Sequence, residues 1–210
     1  MKLTSKDLTD QQPIDPRFAF GRLADDAPME LSNNLSPQLA WHDAPAGTRS
    51  FALLCVDVDV PSEIDNVNQE GKVLPADMPR VDFYHWVMID IPPGVTELHT
   101  GQCCDGITPK GKDNPPGPDG ARQGVNDYTN FMAGDPDMAG TYLGYDGPCP
   151  PWNDELLHRY VFTVYALDVD RLDLGESFTG PDALKAMEGH ILAQASLTGT
   201  YTLNPKVPST

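Results

Sequence analysis

Three short segments of this chain combine acidic, imidazole and hydroxyl side chains with prolines, next to apolar runs. They are Asp57-Val58-Asp59-Val60-Pro61, Tyr84-His85-Trp86, and Gly147-Pro148-Cys149-Pro150-Pro151 followed by His158-Arg159-Tyr160. A carboxylate near an imidazole favours the charged imidazolium and raises its pKa, and a tyrosine hydroxyl adds another donor. Prolines fix the backbone φ angle and can hold such a pocket open. The pattern predicts a small pocket in which imidazolium donors bind an anion, more weakly as the pH rises.

Each of these residues also has a commoner structural role. An Asp that follows a strand is usually a turn residue. His85, inside an apolar run, is by itself more often a hydrogen-bonded core histidine. His158 could equally be a surface residue at the start of a strand. Only the three segments together favour a site.

The same residues could instead serve a hydrolase, with Asp57, His85 and His158 as general acid and base. However, no Ser or Cys lies in a nucleophile motif such as GxSxG, and no metal-ligand spacing such as HExxH occurs. A metal site at Asp57, Asp59 and Asp65 lacks the Gly and the terminal Glu of an EF-hand loop. We therefore expect a binding protein rather than an enzyme, with no cofactor and no metal.

The charge of the chain restricts its partners. It has 14 Lys and Arg against 31 Asp and Glu, a formal net charge of −17. Such a field repels nucleic acid and an anionic membrane surface. No run of about 18 apolar residues could cross a bilayer. The N-terminal residues lack the apolar middle of a secretory signal, so we expect a cytoplasmic location.

The four cysteines show no CxxC spacing, which disfavours a structural zinc site. Cys55 lies in an apolar run and reads as a buried thiol. Cys103 and Cys104 are adjacent, and neighbouring cysteines rarely form a disulfide because its geometry strains the peptide. We expect free thiols in a reducing compartment.

Apolar runs without a polar face predict three strands that are covered on both faces, at residues 50–57, 83–91 and 160–167. The 21 Pro and 18 Gly favour many turns and few long helices. Strands covered on both faces require layers on either side, which is typical of a β-sandwich with a helix on one outer face. The length suits a single domain over residues 1–210. Within it we expect a flexible tail at residues 1–12 and a mobile loop at residues 105–125.

Residues 181–197 carry the one pattern that is typical of a helix. Thr179 and Asp182 fit a capping box, and Pro181 fits the first turn. An apolar stripe recurs at helical spacing through Leu184, Met187, Ile191 and Ala195. We also expect a cis peptide bond at Val60-Pro61, because a proline after strand carboxylates favours a sharp turn.

Longer stretches carry a resemblance to a known family. Residues 34–41 and 44–48 read NLSPQLAW and APAGT, residues 57–62 read DVDVPS, and His85 precedes a Trp. Residues 147–151 read GPCPP and residues 158–160 read HRY. In order and approximate spacing these resemble the signatures of the phosphatidylethanolamine-binding protein family, also called the Raf kinase inhibitor-like family. The resemblance covers residues 34–197.

The resemblance implies a mainly β fold, with a large central antiparallel sheet packed on a smaller sheet and helices on the other face. It implies regulation of a kinase or protease, and a homodimer. It also implies a pocket for phosphate or a phosphorylated head group, built from Asp57, Asp59, Pro61, His85, Gly147, Pro148, Pro150, His158 and Tyr160. The chain departs from the family at residues 152–157, which are slightly longer than usual and lack a glycine. We expect this segment to bring Trp152 or Glu155 to the pocket rim.

Overall fold

The computed structural model describes residues 1–210, which fold mainly into β-strands. In chain order the strands are β1 (Lys2–Thr4), β2 (Gln12–Pro13), β3 (Gly21–Arg22), β4 (Glu30–Leu31), β5 (Leu39–His42), β6 (Ser50–Pro61), β7 (Arg80–Ile91), β8 (Glu97–Leu98), β9 (Arg122–Gln123), β10 (His158–Leu167) and β11 (Ile191–Tyr201). The α-helices are α1 (Tyr128–Phe131) and α2 (Gly180–Met187), and short 3-10 turns lie at Pro16–Phe18 and Met132–Gly134. No helix of the chain has the length and apolar character needed to span a membrane.

The strands form a six-stranded sheet in the order β2-β11-β10-β6-β7-β9, a three-stranded sheet β1-β5-β8, and the β3-β4 pair. In the large sheet every neighbouring pair is antiparallel except β2 and β11 at one edge. The three apolar runs become its central strands β10, β6 and β7. The expectation of a large, mainly antiparallel sheet with smaller sheets is confirmed.

Alternation along the central strands explains why they have no polar face. Phe51, Leu53 and Cys55 of β6 point into one core, and Ala52 and Leu54 point into another. The first core also contains residues of the small sheet, namely Leu39, Trp41 and Leu98. The second contains residues of α2, namely Ala183 and Met187. Because both faces are buried, every position of β6 up to Cys55 has to be apolar or small.

The predicted helix begins where expected but ends ten residues early. Thr179 and Asp182 form the capping box, with the Thr179 hydroxyl and the Asp182 carboxylate each bonding the other's backbone N–H. The helix stops at Met187, and Gly189 turns the chain with a φ of +80°. Ile191 and Ala195 then lie in β11, opposite Leu167 and Val164 of β10. The expectation of a helix through residues 188–197 was therefore wrong, because residues 188–190 form a turn and residues from Ile191 onwards complete the sheet.

One further expectation differs from the structure, and the flexibility of residues 1–12 stays a prediction. The chain contains no cis peptide bond, so the cis geometry expected at Val60-Pro61 was wrong. β6 continues through Pro61, which pairs with Arg80 at the strand end and needs no sharp turn. Within the predicted N-terminal tail, Lys2–Thr4 pairs with β5 and adds an edge strand to the small sheet.

Residues 105–125, predicted to be a mobile loop, make specific contacts with the rest of the fold. Lys112 Nζ donates to the Tyr145 carbonyl at 3.0 Å and to the Asp146 carboxylate at 2.8 Å. Gln123 accepts a hydrogen bond from the Trp86 indole at 2.9 Å. These contacts, and the pairing of β9 with β7, attach the segment to the rest of the fold, and its mobility stays a prediction.

Candidate functional site

A cavity of about 320 Å³ opens at one end of the large sheet. Antiparallel pairing places the end of β6 beside the starts of β7 and β10, so residues that are far apart in sequence meet there. Six of the nine predicted site residues line the cavity: Asp57, Pro61, His85, Pro150, His158 and Tyr160. The other three, Asp59, Gly147 and Pro148, do not line it.

His158 is fully buried between two carboxylates. Its Nδ1 lies 2.7 Å from Asp57 Oδ2 and its Nε2 lies 3.1 Å from Asp154 Oδ2. Burial alone would lower the pKa of His158, but the charge of Asp57 and the hydrogen bonds to both carboxylates raise it to about 9. His158 is therefore an imidazolium at neutral pH. Both of its N–H groups are occupied, so the expectation that it donates to an anion was wrong.

Asp154 is a member of this buried network that the motifs did not indicate. It accepts two hydrogen bonds from the Arg80 guanidinium, at 2.6 and 3.0 Å. Its own pKa is lowered: burial opposes the shift, but the hydrogen bonds from His158 and Arg80 outweigh it. Asp154 belongs to the unusual segment 152–157, whereas Trp152 and Glu155 face a different cavity. The segment thus supplies a carboxylate behind the pocket rather than a side chain at its rim.

Asp59 does not line the cavity. Its carboxylate accepts two hydrogen bonds from the Arg159 guanidinium, both at 2.8 Å, and one from the Arg159 backbone N–H at 2.9 Å. This arrangement joins the end of β6 to the start of β10. Asp59 therefore has a structural role, and it polarises neither histidine.

His85 is also buried, but it has a different partner. Its Nδ1 lies 2.8 Å from the backbone carbonyl oxygen of Asp146. A carbonyl only accepts, so Nδ1 carries the proton and, in the neutral ring, Nε2 presents a lone pair. Burial lowers the pKa of His85, although the charge of Asp57 and the bond to Asp146 act against this shift. The expected raised pKa at His85 is thus not found, and Nε2 has no partner within the protein.

Tyr160 supplies a hydrogen-bond donor to the same cavity. The residue is fully buried, and its hydroxyl group has no hydrogen-bond partner. Burial raises the pKa of Tyr160 well above its usual value, and the nearby charge of Asp57 adds to this effect. The Asp57 oxygens already accept from His158 and from the Asp59 N–H. The Tyr160 hydroxyl lies close to Asp57 but forms no hydrogen bond with it in the structure. A buried hydroxyl without a partner costs free energy, unless a ligand or water supplies one.

The loop that carries Gly147 is fixed by a buried polar network. Asn34 Nδ2 donates to the Asp146 carboxylate at 2.9 Å, and Asn34 Oδ1 accepts from the Gly147 N–H at 2.7 Å. A Cβ at Gly147 would lie 2.0 Å from the Phe18 carbonyl oxygen, so only glycine fits there. The network places the Asp146 carbonyl against His85. Asn34 and Gly147, which belong to the sequence motifs, thereby position His85 without lining the pocket.

Aromatic side chains and carboxylates also line the cavity, and the exposed residues Asp82 and Phe131 mark its mouth. Phe83, Tyr128 and Phe131 lie with ring centroids 5.4–6.4 Å apart and nearly perpendicular planes. Asp82 and Asp127 lie beside them, and burial raises the pKa of Asp127. No Lys or Arg lines the cavity. The mouth therefore combines apolar surface with negative charge, and no cation is available there to hold an anion.

Comparison with known proteins gives a consistent result. A family model described as "Phosphatidylethanolamine-binding protein" matches residues 4–202. The UPF0098 protein YbhB of Escherichia coli strain K12 is 32% identical over 202 residues, which cover 96% of this chain and 100% of that protein. A UPF0098 protein of Methanothermobacter thermautotrophicus is 38% identical over 168 residues, covering 80% of this chain and 83% of the relative.

Solved structures show the same similarity. The crystal structure of YbcL of Escherichia coli, described as a new member of the mammalian PEBP family, aligns with a TM-score of 0.68 and 25% identity. That alignment covers 96% of this chain and 97% of YbcL. The structure of CT736 of Chlamydia trachomatis, a putative homologue of that family, aligns with a TM-score of 0.63 and 28% identity over 95% of each chain.

Proposed function

Because the chain belongs to the phosphatidylethanolamine-binding protein family, we propose that it binds a small phosphate-bearing ligand in this cavity and catalyses no reaction. The observation that carries the proposal is the pair formed by the Tyr160 hydroxyl and His85 Nε2. Both residues line one cavity, neither atom has a hydrogen-bond partner within the protein, and the Tyr160 hydroxyl is also fully buried. Buried polar groups are normally satisfied, so this pair favours a polar ligand group between them.

The remainder of the cavity favours a ligand with an amine. Phosphate oxygens at Tyr160 and His85 would leave the rest of the ligand near the mouth, beside Asp82 and Asp127. An ammonium group there would meet two carboxylates and the faces of aromatic rings, both of which attract cations. A phosphorylated amine, such as the head group named in the family description, therefore fits better than a bare anion.

A hydrolase is less well supported by the same geometry. His158 has no free nitrogen for proton transfer, since Asp57 and Asp154 occupy both. Cys149 lines the cavity, but burial raises the pKa of its thiol to about 12, so the thiolate nucleophile is absent at neutral pH. His85 remains as the one base, and no side-chain nucleophile lies beside it for activation. The cytoplasmic location, the homodimer and a kinase or protease partner stay predictions.

The test is calorimetric titration of the protein with O-phosphorylethanolamine at pH 6.5. We expect Tyr160→Phe to weaken binding about ten-fold, because it removes a hydrogen bond to a charged group. Tyr165→Phe is the matched control, since Tyr165 lies on the same strand and packs into the core on the α2 side. It should bind as the unmodified protein does.

Two results would contradict the proposal. One is an absence of binding by the unmodified protein, or equal binding by Tyr160→Phe. The other is release of inorganic phosphate from the ligand that is abolished in His85→Ala, which would make the protein a hydrolase.

A further inference from the structure

We propose that a second cavity of this chain binds a small anion that carries a planar aromatic ring. The cavity has a volume of about 610 Å³ and shares no lining residue with the pocket at the end of the large sheet. Three irregular segments form its wall: residues 71–73, part of residues 152–157, and residues 204–208. The middle segment is the one in which the chain departs from the family pattern. This second site is therefore separate from the function proposed above.

Two lysines without ion pairs distinguish this cavity from the rest of an acidic surface. Nine of the 14 Lys and Arg side chains pair with a carboxylate. The other five are Lys72, Lys110, Arg171, Lys185 and Lys206. Of these, Lys72 and Lys206 both line the cavity, and both are exposed. In a chain with a net charge of −17, two unpaired ammonium groups in one cavity favour an anionic ligand there.

The same cavity also offers aromatic and apolar surface. Trp152 is partly exposed on its wall, whereas Trp41 and Trp86 are buried in the core. Val73 is 56% exposed, and Val207 and two prolines add further apolar surface. A flat ring can stack on an indole and is withdrawn from water when it does so. The ligand should therefore combine a planar ring with a negative charge.

Two buried asparagines hold the cavity in shape. Asn153 Nδ2 donates to the Lys72 carbonyl at 3.2 Å. Asn204 Nδ2 donates to the Asp154 carbonyl at 2.7 Å, and Asn204 Oδ1 accepts from the Lys206 N–H at 3.0 Å. These bonds fix the backbone of both lysines at the cavity wall, so that only their side chains have to become ordered. A preformed site of this kind loses less conformational entropy when a ligand binds.

One carboxylate limits the charge that the cavity can accept. Glu155 lines the cavity, is exposed and forms no ion pair, so two lysines against one glutamate leave a net charge of +1. A monoanion matches this charge. At about 0.15 M salt the Debye length is about 8 Å, so the contact depends on these local charges rather than on the net charge of the chain.

The experiment is an NMR titration of the three tryptophan indole N–H signals at about 0.15 M salt, with 2-naphthoate, 2-naphthamide and cyclohexanecarboxylate. The amide keeps the ring without the charge, and cyclohexanecarboxylate keeps the charge without the aromatic ring. We expect 2-naphthoate to shift the signal of Trp152, which is assigned by its loss in Trp152→Phe, and to leave those of Trp41 and Trp86 in place. It should bind at least about three-fold more tightly than either other ligand.

Substitutions at exposed positions test the charges without threatening the fold. Lys72→Gln and Lys206→Gln should each weaken binding of 2-naphthoate about two- to five-fold, which is the range for an exposed charge pair. Glu155→Gln should strengthen binding about two-fold, because it removes the opposing charge. Lys185→Gln is the matched control, since Lys185 is exposed and also forms no ion pair but lies on α2, outside this cavity. It should bind as the unmodified protein does.

Three results would overturn the inference: an unmoved Trp152 signal, equal affinity for 2-naphthoate and either other ligand, or equal affinity in the two lysine variants and the control. None of them bears on the first pocket, because its test uses O-phosphorylethanolamine and Tyr160→Phe. Conversely, Tyr160→Phe should bind 2-naphthoate as tightly as the unmodified protein, since Tyr160 does not line this cavity. A loss of affinity in Tyr160→Phe would place 2-naphthoate in the first pocket and contradict a second site.

Discussion

His85 and His158 line the same cavity, on the two strands that flank β6. At neutral pH one ring is neutral and the other is positively charged. Both are almost completely buried. His158 has a carboxylate at each ring nitrogen, and its pKa is raised to about 9. His85 has a backbone carbonyl at one nitrogen and nothing at the other, and its pKa is lowered. The imidazolium is thus a structural cation, and the neutral ring is the one available to a ligand.

The difference shows that burial alone does not decide the charge of a histidine. Desolvation acts against the charged form of both rings, and only two direct carboxylate contacts reverse the outcome. A carbonyl satisfies one N–H without supplying a full negative charge. The charge of each histidine in this pocket depends on whether a carboxylate or a carbonyl oxygen lies within about 3 Å of its ring nitrogens.

The largest effect should come from Asp154→Ala. This change leaves Arg80 and His158 buried without the carboxylate that both contact, and removing one partner of a buried ion pair costs about 3–5 kcal/mol. Urea unfolding followed by fluorescence measures the loss in the free energy of unfolding. Asp82→Ala is the control, since Asp82 is exposed, forms no ion pair, and should change stability by less than about 0.5 kcal/mol. A loss below 1 kcal/mol for Asp154→Ala would show that the network does not stabilise the fold.

A smaller effect should come from pH. His158 has a pKa of about 9 in the folded protein and about 6.5 when unfolded. Its contribution is fully present below pH 6.5 and is lost as the pH rises towards 9, which amounts to about 3 kcal/mol. His85 contributes with the opposite sign, because its lowered pKa costs stability only as the pH falls below 6.5.

Urea unfolding at pH 6.5 and 8.5 tests this dependence. The range stops at pH 8.5 because the buried cysteines affect stability at higher pH. His190→Gln is the control, since the side chains of His190 and its partner Asp168 are each nearly half exposed. It should keep the same pH dependence as the unmodified protein. Stability that does not change between the two pH values would argue against a charged His158.

The smallest effect should come from Asp59→Asn. Asp59 resembles Asp57 in sequence, but its partner is Arg159, whose side chain is 56% exposed. Such partly exposed pairs contribute about 0–1 kcal/mol. Because Asp59 does not line the cavity, affinity for O-phosphorylethanolamine should change by less than about two-fold. A loss of affinity as large as that caused by Tyr160→Phe would show that Asp59 contributes to ligand binding.

The fold could be predicted well where local patterns determine structure. The apolar runs identified the three central strands, and the capping box identified the start of α2. The end of α2 was missed because Leu184, Met187, Ile191 and Ala195 happen to repeat at helical spacing. Two signals pointed to the correct boundary: Gly189, and the alternation of Ile191, Ala193 and Ala195 along β11. Residues from Ile191 onwards form a strand rather than a helix because they pair with β10 as its antiparallel neighbour.

The site could be located from sequence, but its electrostatics could not be predicted. Motifs brought Asp57, His85 and Tyr160 into one cavity as expected. Asp154 and Asp146 lie in irregular segments whose path depends on the whole fold, and they determine the charge state of each histidine. Spacing in the sequence indicates which groups are near each other. It does not indicate whether a carboxylate or a carbonyl faces a given nitrogen.

Long-range ¹⁵N–¹H NMR of the histidine rings tests the central difference most directly, with assignments from the His85→Gln and His190→Gln variants. At pH 7 we predict that His85 carries its proton on Nδ1 alone and that Nε2 is unprotonated. We predict that His158 is protonated on both nitrogens and titrates with a pKa of about 9. A doubly protonated His85 at pH 7, or a His158 that titrates near 6.5, would contradict this account.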